Sequence, residues 1–176
     1  MVRQGIPFLA LCVAGCATAS VPSVPSVPVA NVSTLIRADQ RPTIGELSTA
    51  RYCGVETKVR MLPPDPSIPE NIKNAYGVWT GSMERKYDSF GSECIAAVIE
   101  EVHGDGTMNI VGFRGGYYDW GDLPRITHSV LTLVGGTLTS GPPGDQSTYV
   151  ISGDTMIGTY TNPRTAHYYT LHYKRQ

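Results

Sequence analysis

Residues 94–113 read Cys94-Ile95-Ala96-Ala97-Val98-Ile99-Glu100-Glu101-Val102-His103-Gly104-Asp105-Gly106-Thr107-Met108-Asn109-Ile110-Val111-Gly112-Phe113. The first part is rich in Ile, Val and Ala, side chains that suit a half-buried pleated surface. His103-Gly104-Asp105-Gly106 is a turn signal, and residues 107–113 read as the returning hairpin partner. The same grammar recurs downstream. Residues 147–152 and 155–161 flank Gly153-Asp154 as a second hairpin. Residues 126–134 alternate with β-branched side chains and end at Gly135-Gly136, and residues 137–140 form a short strand. Residues 141–145, Gly-Pro-Pro-Gly-Asp, must be a loop, and residues 167–174 close the chain as a strand. Residues 75–83 are the first candidate strand.

Composition agrees with this pattern. The chain has 176 residues, 19 Gly and 13 Pro, with 10 Tyr dominating the aromatics and only 16% charged residues. Many turns and few charges suit short strands better than helices. About eight strands are joined mostly by tight turns. No segment is long enough for a crossover helix, so the sheet should be antiparallel. Closing it into an up-and-down barrel would remove exposed edges. A β-sandwich is the competing all-β architecture. The formal net charge is −1, so nucleic-acid binding has no electrostatic support.

The N-terminus has a different character. Residues 1–15 carry one cation, Arg3, then a short apolar run over 6–14, then small residues. The run is far shorter than the roughly 20 residues of a membrane-spanning helix. Charge, short apolar run and small residues make the pattern of a secretory signal peptide. Its end, Val13-Ala14-Gly15-Cys16, resembles the bacterial lipobox. That resemblance implies diacylglycerol on the Cys16 sulfur, cleavage before Cys16 and acylation of the new amine, commonly with palmitate. Acyl chains at roughly 0.8 kcal/mol per buried methylene would hold the protein to a lipid bilayer. Ala17 follows, with no Asp at that position. Under the usual Gram-negative sorting rule this resembles an outer-membrane destination.

Residues 16–45 read as a tether. Val21-Pro22-Ser23 repeats as Val24-Pro25-Ser26 and Val27-Pro28-Val29, a spacing that favours polyproline II over helix or sheet. Residues 46–73 form a pre-domain segment with a short helix or an added strand over 46–60. A second proline cluster follows at Pro63, Pro64, Pro66 and Pro69. The β domain is expected over 74–176. Within its first strand, Gly77-Val78-Trp79-Thr80-Gly81 resembles the opening of calycin-type barrels (lipocalins and avidins). The resemblance implies a barrel with Trp79 plugging one end.

The four cysteines separate by position. Cys12 would leave with the signal peptide and Cys16 would be acylated. Cys53 and Cys94 would then remain in an oxidising compartment, where a disulfide is expected, with two free core thiols as the other reading. No pair has zinc-knuckle or redox spacing, and no metal or other cofactor is expected.

The richest stretch for recognition is Arg114-Gly115-Gly116-Tyr117-Tyr118-Asp119-Trp120-Gly121-Asp122. Arg114, Tyr117, Tyr118, Asp119, Trp120 and Asp122 could form a ligand or partner surface, with aromatic faces to stack and charges to orient. Alternatively the aromatics fold back to cap a barrel end. Glu100 and Glu101 are strand neighbours, so only one can face inward. His167 and His172 are five apart on one strand and point to opposite faces, so they cannot chelate one ion together. We expect no catalysis. The expected role is a membrane-anchored, non-catalytic binding or interaction module contacting an envelope protein or peptidoglycan. The alternatives are a structural subunit of an envelope assembly and an inhibitor of a secreted hydrolase.

Overall fold

The computed structural model describes residues 38–85, 92–116, 123–141, 146–162 and 167–176. The expected signal peptide, Cys16 and most of the expected tether lie outside the described residues. Among the described residues, ten strands and one helical turn follow in order: β1 (Leu47–Tyr52), β2 (Val55–Arg60), α1 (Glu70–Lys73), β3 (Gly77–Arg85), β4 (Glu93–Val102), β5 (Thr107–Arg114), β6 (Arg125–Val134), β7 (Thr137–Ser140), β8 (Ser147–Ser152), β9 (Thr155–Asn162) and β10 (His167–Arg175). Strands β3 to β10 form a closed barrel in which every pairing is antiparallel. Each strand lies beside its sequence neighbours, and β10 returns to pair with β3. The barrel is therefore up-and-down rather than a sandwich.

Alternation sorts each strand between two environments. On β4, Ile95, Ala97 and Ile99 point into the barrel, while Ala96 and Val98 point out, yet all five are buried. A strand buried on both faces needs a cover outside the wall. The hairpin β1–β2 supplies it. Ala50, Tyr52, Val59 and Met61 pack on Val78, Ala96, Val98, Val111 and Phe113, which are the outward residues of β3, β4 and β5. Tyr52 meets Phe113 edge-on, with ring centroids 5.3 Å apart. The β2 backbone is tied to β4 as well. The Arg60 N–H donates to Glu100 Oε1 at 2.7 Å, and the Leu62 N–H donates to the Glu100 carbonyl at 2.7 Å.

The folded unit thus begins ahead of Asn74, where the sequence placed the start of the β domain. The hairpin, α1 and the barrel belong to one compact unit. The hairpin turn is Cys53-Gly54, with φ of 53° and 79°. Two successive left-handed residues match the twist of a two-residue hairpin. Cys53 is then presented to Cys94 at the start of β4, and the two form the disulfide, with Cα atoms 5.5 Å apart. The expected bridge is present, and it pins the hairpin tip to the barrel wall.

Inside, one cluster fills the barrel. Trp79, Met108, Leu131, Leu138 and Met156 are almost fully buried, joined by Leu171 and Tyr173. An eight-stranded barrel is just wide enough for side chains to fill. One end is stopped by α1 and the residues after it. Trp79 is wholly buried there, and its Nε1 donates to the Ala75 carbonyl at 2.9 Å. The guanidinium of Arg175 lies over the Trp79 ring, 4.3 Å from the centroid. Arg175 Nη1 donates to the Tyr76 carbonyl at 2.7 Å, and Nη2 donates to the Asn74 carbonyl.

Strands β3 and β10 close the barrel at a tight approach. A Cβ built on Gly81 would lie 1.7 Å from the His172 carbonyl oxygen, so only glycine fits. Gly81→Ala should therefore cost about 1–3 kcal/mol or more by forcing the closing strands apart. A lower urea midpoint would register it, and an unchanged midpoint would contradict the closure geometry. Replacing Cys53 and Cys94 together by Ala should lower stability by up to about 4 kcal/mol, because the bridge closes a long loop. Equal midpoints with and without the bridge would show that the hairpin holds by packing alone.

Candidate functional site

Arg114 is the one member of the expected recognition stretch whose side chain the structure describes. It ends β5 on the inward face, paired in register with inward Ile95 of β4. Its Nε donates to Glu93 Oε1 at 2.6 Å and its Nη2 to Glu93 Oε2 at 2.9 Å. This is the two-pronged guanidinium–carboxylate geometry. The Glu93 side chain is only 2% exposed, so its carboxylate is paired with Arg114 inside the protein rather than hydrated. Tyr117, Tyr118, Asp119, Trp120 and Asp122 lie outside the described residues. Arg114 thus serves the barrel wall by balancing a buried carboxylate.

The root of the stretch is firmly held. The Gly115 N–H donates to the Cys94 carbonyl at 2.9 Å. A Cβ on Gly115 would sit 3.5 Å from the Cys94 Cβ and 3.9 Å from the Cys53 Cβ, against the disulfide. An ion pair on one side and a covalent bridge on the other fix the backbone from which residues 117–122 depart.

Glu100, Glu101 and Asp105 have structural partners, and His103 stands beside Glu101. Glu100 anchors β2 through its side chain and its carbonyl. Glu101 accepts from Asn109 Nδ2 at 3.1 Å and lies 3.7 Å from His103 Nε2. Asp105 caps its own turn by accepting from the Thr107 N–H and hydroxyl, and those two hydrogen bonds lower its pKa. Among the described residues no group of three or more His, Cys, Asp or Glu could hold a metal ion.

Two features were not anticipated from the sequence. Four tyrosines line the inner wall of β8, β9 and β10. Tyr160 stacks on Tyr169 with centroids 5.6 Å apart, and Tyr149 tilts against Tyr173 at 6.4 Å. Burial pushes the pKa of the Tyr173 hydroxyl well above the ordinary tyrosine value, and Tyr149 shifts the same way. These groups stay neutral and pack. The second feature is a half-open cavity of about 380 Å³ at the plugged end. Its lining includes Leu133, Leu138 and Ile151, with Asn71, Asp154 and Arg175 among the polar groups. Arg175 is already committed there to backbone carbonyls and to Asp154, at 3.3 Å.

Arg114→Ala should leave Glu93 buried without its partner and cost about 3–5 kcal/mol. Replacing both residues by apolar side chains of similar volume should restore most of that loss. Chemical denaturation of the three proteins checks this, and a single variant as stable as the parent would contradict it. Comparisons with family models, with curated proteins and with solved structures found no match.

Proposed function

We propose that this chain is an exported lipoprotein of the cell envelope, acylated at Cys16, whose barrel acts without catalysis as an interaction module. The observation that carries the reading is the filled barrel. Trp79, Met108, Leu131, Met156 and Tyr173 occupy the interior below the half-open cavity at the plugged end, which favours contacts with other molecules through the outside and the loops. A ligand-carrying barrel of the same strand number would instead keep that volume open.

The address rests on two independent supports. Val13-Ala14-Gly15-Cys16 has the order and spacing of a lipobox. The Cys53–Cys94 bridge suits an oxidising compartment outside the cytosol. Ala17 after the modified cysteine favours the outer membrane under Gram-negative sorting. The proline-spaced segment after Cys16 would hold the barrel off the bilayer. Peptidoglycan or an envelope protein is the partner class, with Tyr118 and Trp120 as the contact residues.

Detergent phase partitioning tests the address. The parent chain should enter the detergent phase and take up labelled palmitate, and Cys16→Ser should do neither. Label on Cys16→Ser, or none on the parent, would remove the anchor. Sedimentation with purified peptidoglycan and cross-linking in intact envelopes test the partner. Tyr118→Ala combined with Trp120→Ala should weaken capture at least about tenfold, as expected when aromatic anchors are truncated. The thermal midpoint should not change.

A further inference from the structure

We propose that the free edge of β6 is a strand-addition site, which takes one extended, proline-free segment of a partner protein into the barrel wall. This rests on the reading of the barrel as an interaction module. It goes further by naming the form of the partner and the atoms that hold it.

The β6 strand is paired unequally on its two sides. Toward β5 it is in register from Arg125 to Thr132. Toward β7 it is in register only over Thr132, Leu133 and Val134. The β7 strand ends at Ser140. Gly141 follows with φ of 85°, which turns the chain out of the strand direction. Pro142 and Pro143 then carry no N–H with which to extend a ladder.

Backbone direction decides which groups this leaves open. The Leu133 N–H donates to the Gly106 carbonyl at 2.9 Å, on the β5 side. Residues of an antiparallel pair alternate in this respect. Leu131, Ser129 and Thr127 therefore turn their N–H and C=O to β5, and Val130, His128 and Ile126 turn theirs the other way. Among the described residues no hydrogen bond reaches the N–H or C=O groups of those three. They form a row of donor and acceptor pairs spaced about 6.8 Å, which is two residues of a strand.

Neither the edge nor its flanks are shielded. Thr127 and Ser129 on one face and His128 and Val130 on the other are all exposed, Val130 to 53%. The devices that blunt a free edge are missing from this stretch. Residues 126–131 contain no Pro, no Lys and no acidic side chain, and their register with β5 runs without a bulge.

The hydrogen-bond pattern selects the occupant. A helix spends its backbone groups on itself, and a glycan has no main-chain N–H. An extended polypeptide presents N–H and C=O at the repeat of this row. The open stretch continues the line of β7 within the wall, between β6 and β8. One strand fits that line. A second copy would bring its own β6 with β5 bonded along it, so a tail or an extended loop is the better match. Side chains set the segment's pattern. Ile126 and Val130 favour β-branched apolar residues opposite them, and Thr127 and Ser129 favour small polar ones.

Fluorescence anisotropy of a labelled peptide, titrated with the full chain in dodecyl maltoside, tests the proposal. The probe is an acetylated, amidated peptide with the sequence of residues 125–131. Its antiparallel register on β6 sets its Ile opposite Val130, its Val opposite Ile126 and its Thr opposite Ser129. It should bind saturably with a Kd on the order of 100 μM, as suits a short ladder without deep pockets. N-methylation of its Ile, His and Val, whose N–H groups face β6, should weaken binding about tenfold or more, and N-methylation of its Thr and Ser should not. His128→Pro removes the central donor of the free side and leaves the β5 ladder whole. It should weaken binding about as much, with an unchanged circular dichroism spectrum. If that variant does not fold, Val130→Pro is read in its place. No saturation up to about 1 mM, equal loss from both methylation patterns, or full binding by the proline variant would each overturn the proposal. Light scattering reads the other occupant: a parent dimer that His128→Pro dissolves would put a second copy on the edge and overturn the choice of a partner segment. Sedimentation with peptidoglycan reads the loop contacts and does not involve His128, so the two readings fail separately.

Discussion

Arg175 over Trp79 is the contact on which the rest of the molecule depends. A meander of eight strands has two loose edges until its last strand finds its first. Pairing of β10 with β3 removes both, and Arg175 secures it from the inside. Its guanidinium covers the indole and holds the carbonyls that follow α1, so one side chain joins the last strand, the first strand and the plug. Trp79 reaches back to the Ala75 carbonyl and completes the stop. With that end shut, the apolar residues along every strand share one interior.

The second constraint is covalent and acts outside the wall. The β4 strand is apolar on both faces, which an ordinary barrel strand cannot be if its outer face meets water. The β1–β2 hairpin resolves that conflict. Its own apolar set is small, resting on Ala50, Tyr52, Val59 and Met61, and a lone two-stranded hairpin is marginal in water. The Cys53–Cys94 bridge holds the hairpin tip at the place where the cover is needed. The Glu93–Arg114 pair and Gly115 sit next to the same bridge, so cover, wall and the root of the 117–122 stretch meet at one point.

Much of this architecture was legible because the turns are short and chemically explicit. The β7 and β8 strands begin and end where Gly135-Gly136, the 141–145 loop and Gly153-Asp154 place them. The β3 strand starts at Gly77 rather than two residues earlier, because Ala75 and Tyr76 continue the helical turn by donating to Ile72 and Lys73. That turn was hidden by the prolines around it. The choice between barrel and sandwich was not legible, since it depends on β10 meeting β3 across almost the whole domain. The β1–β2 hairpin was legible only as a helix or a strand. Its residues are mostly small or charged, and its partner surface belongs to other strands. At the candidate site the chemistry of Arg114 was visible, but its partner was not. Glu93 lies 21 residues away and becomes adjacent only through the β4–β5 register.

The long reach of the closing contact has a consequence for how the chain comes to be folded. The contacts of Arg175 with residues near Tyr76 span about a hundred positions, the kind of non-local pairing that forms late. While the barrel is still being delivered strand by strand, the wall lacks its last member and the plug lacks its clamp. Neither the interior nor the seam can be completed by any shorter stretch of the domain. The native wall can therefore close only once β10 is in place. For a chain exported as proposed above, an architecture that closes only on its last strand would favour crossing the membrane before folding.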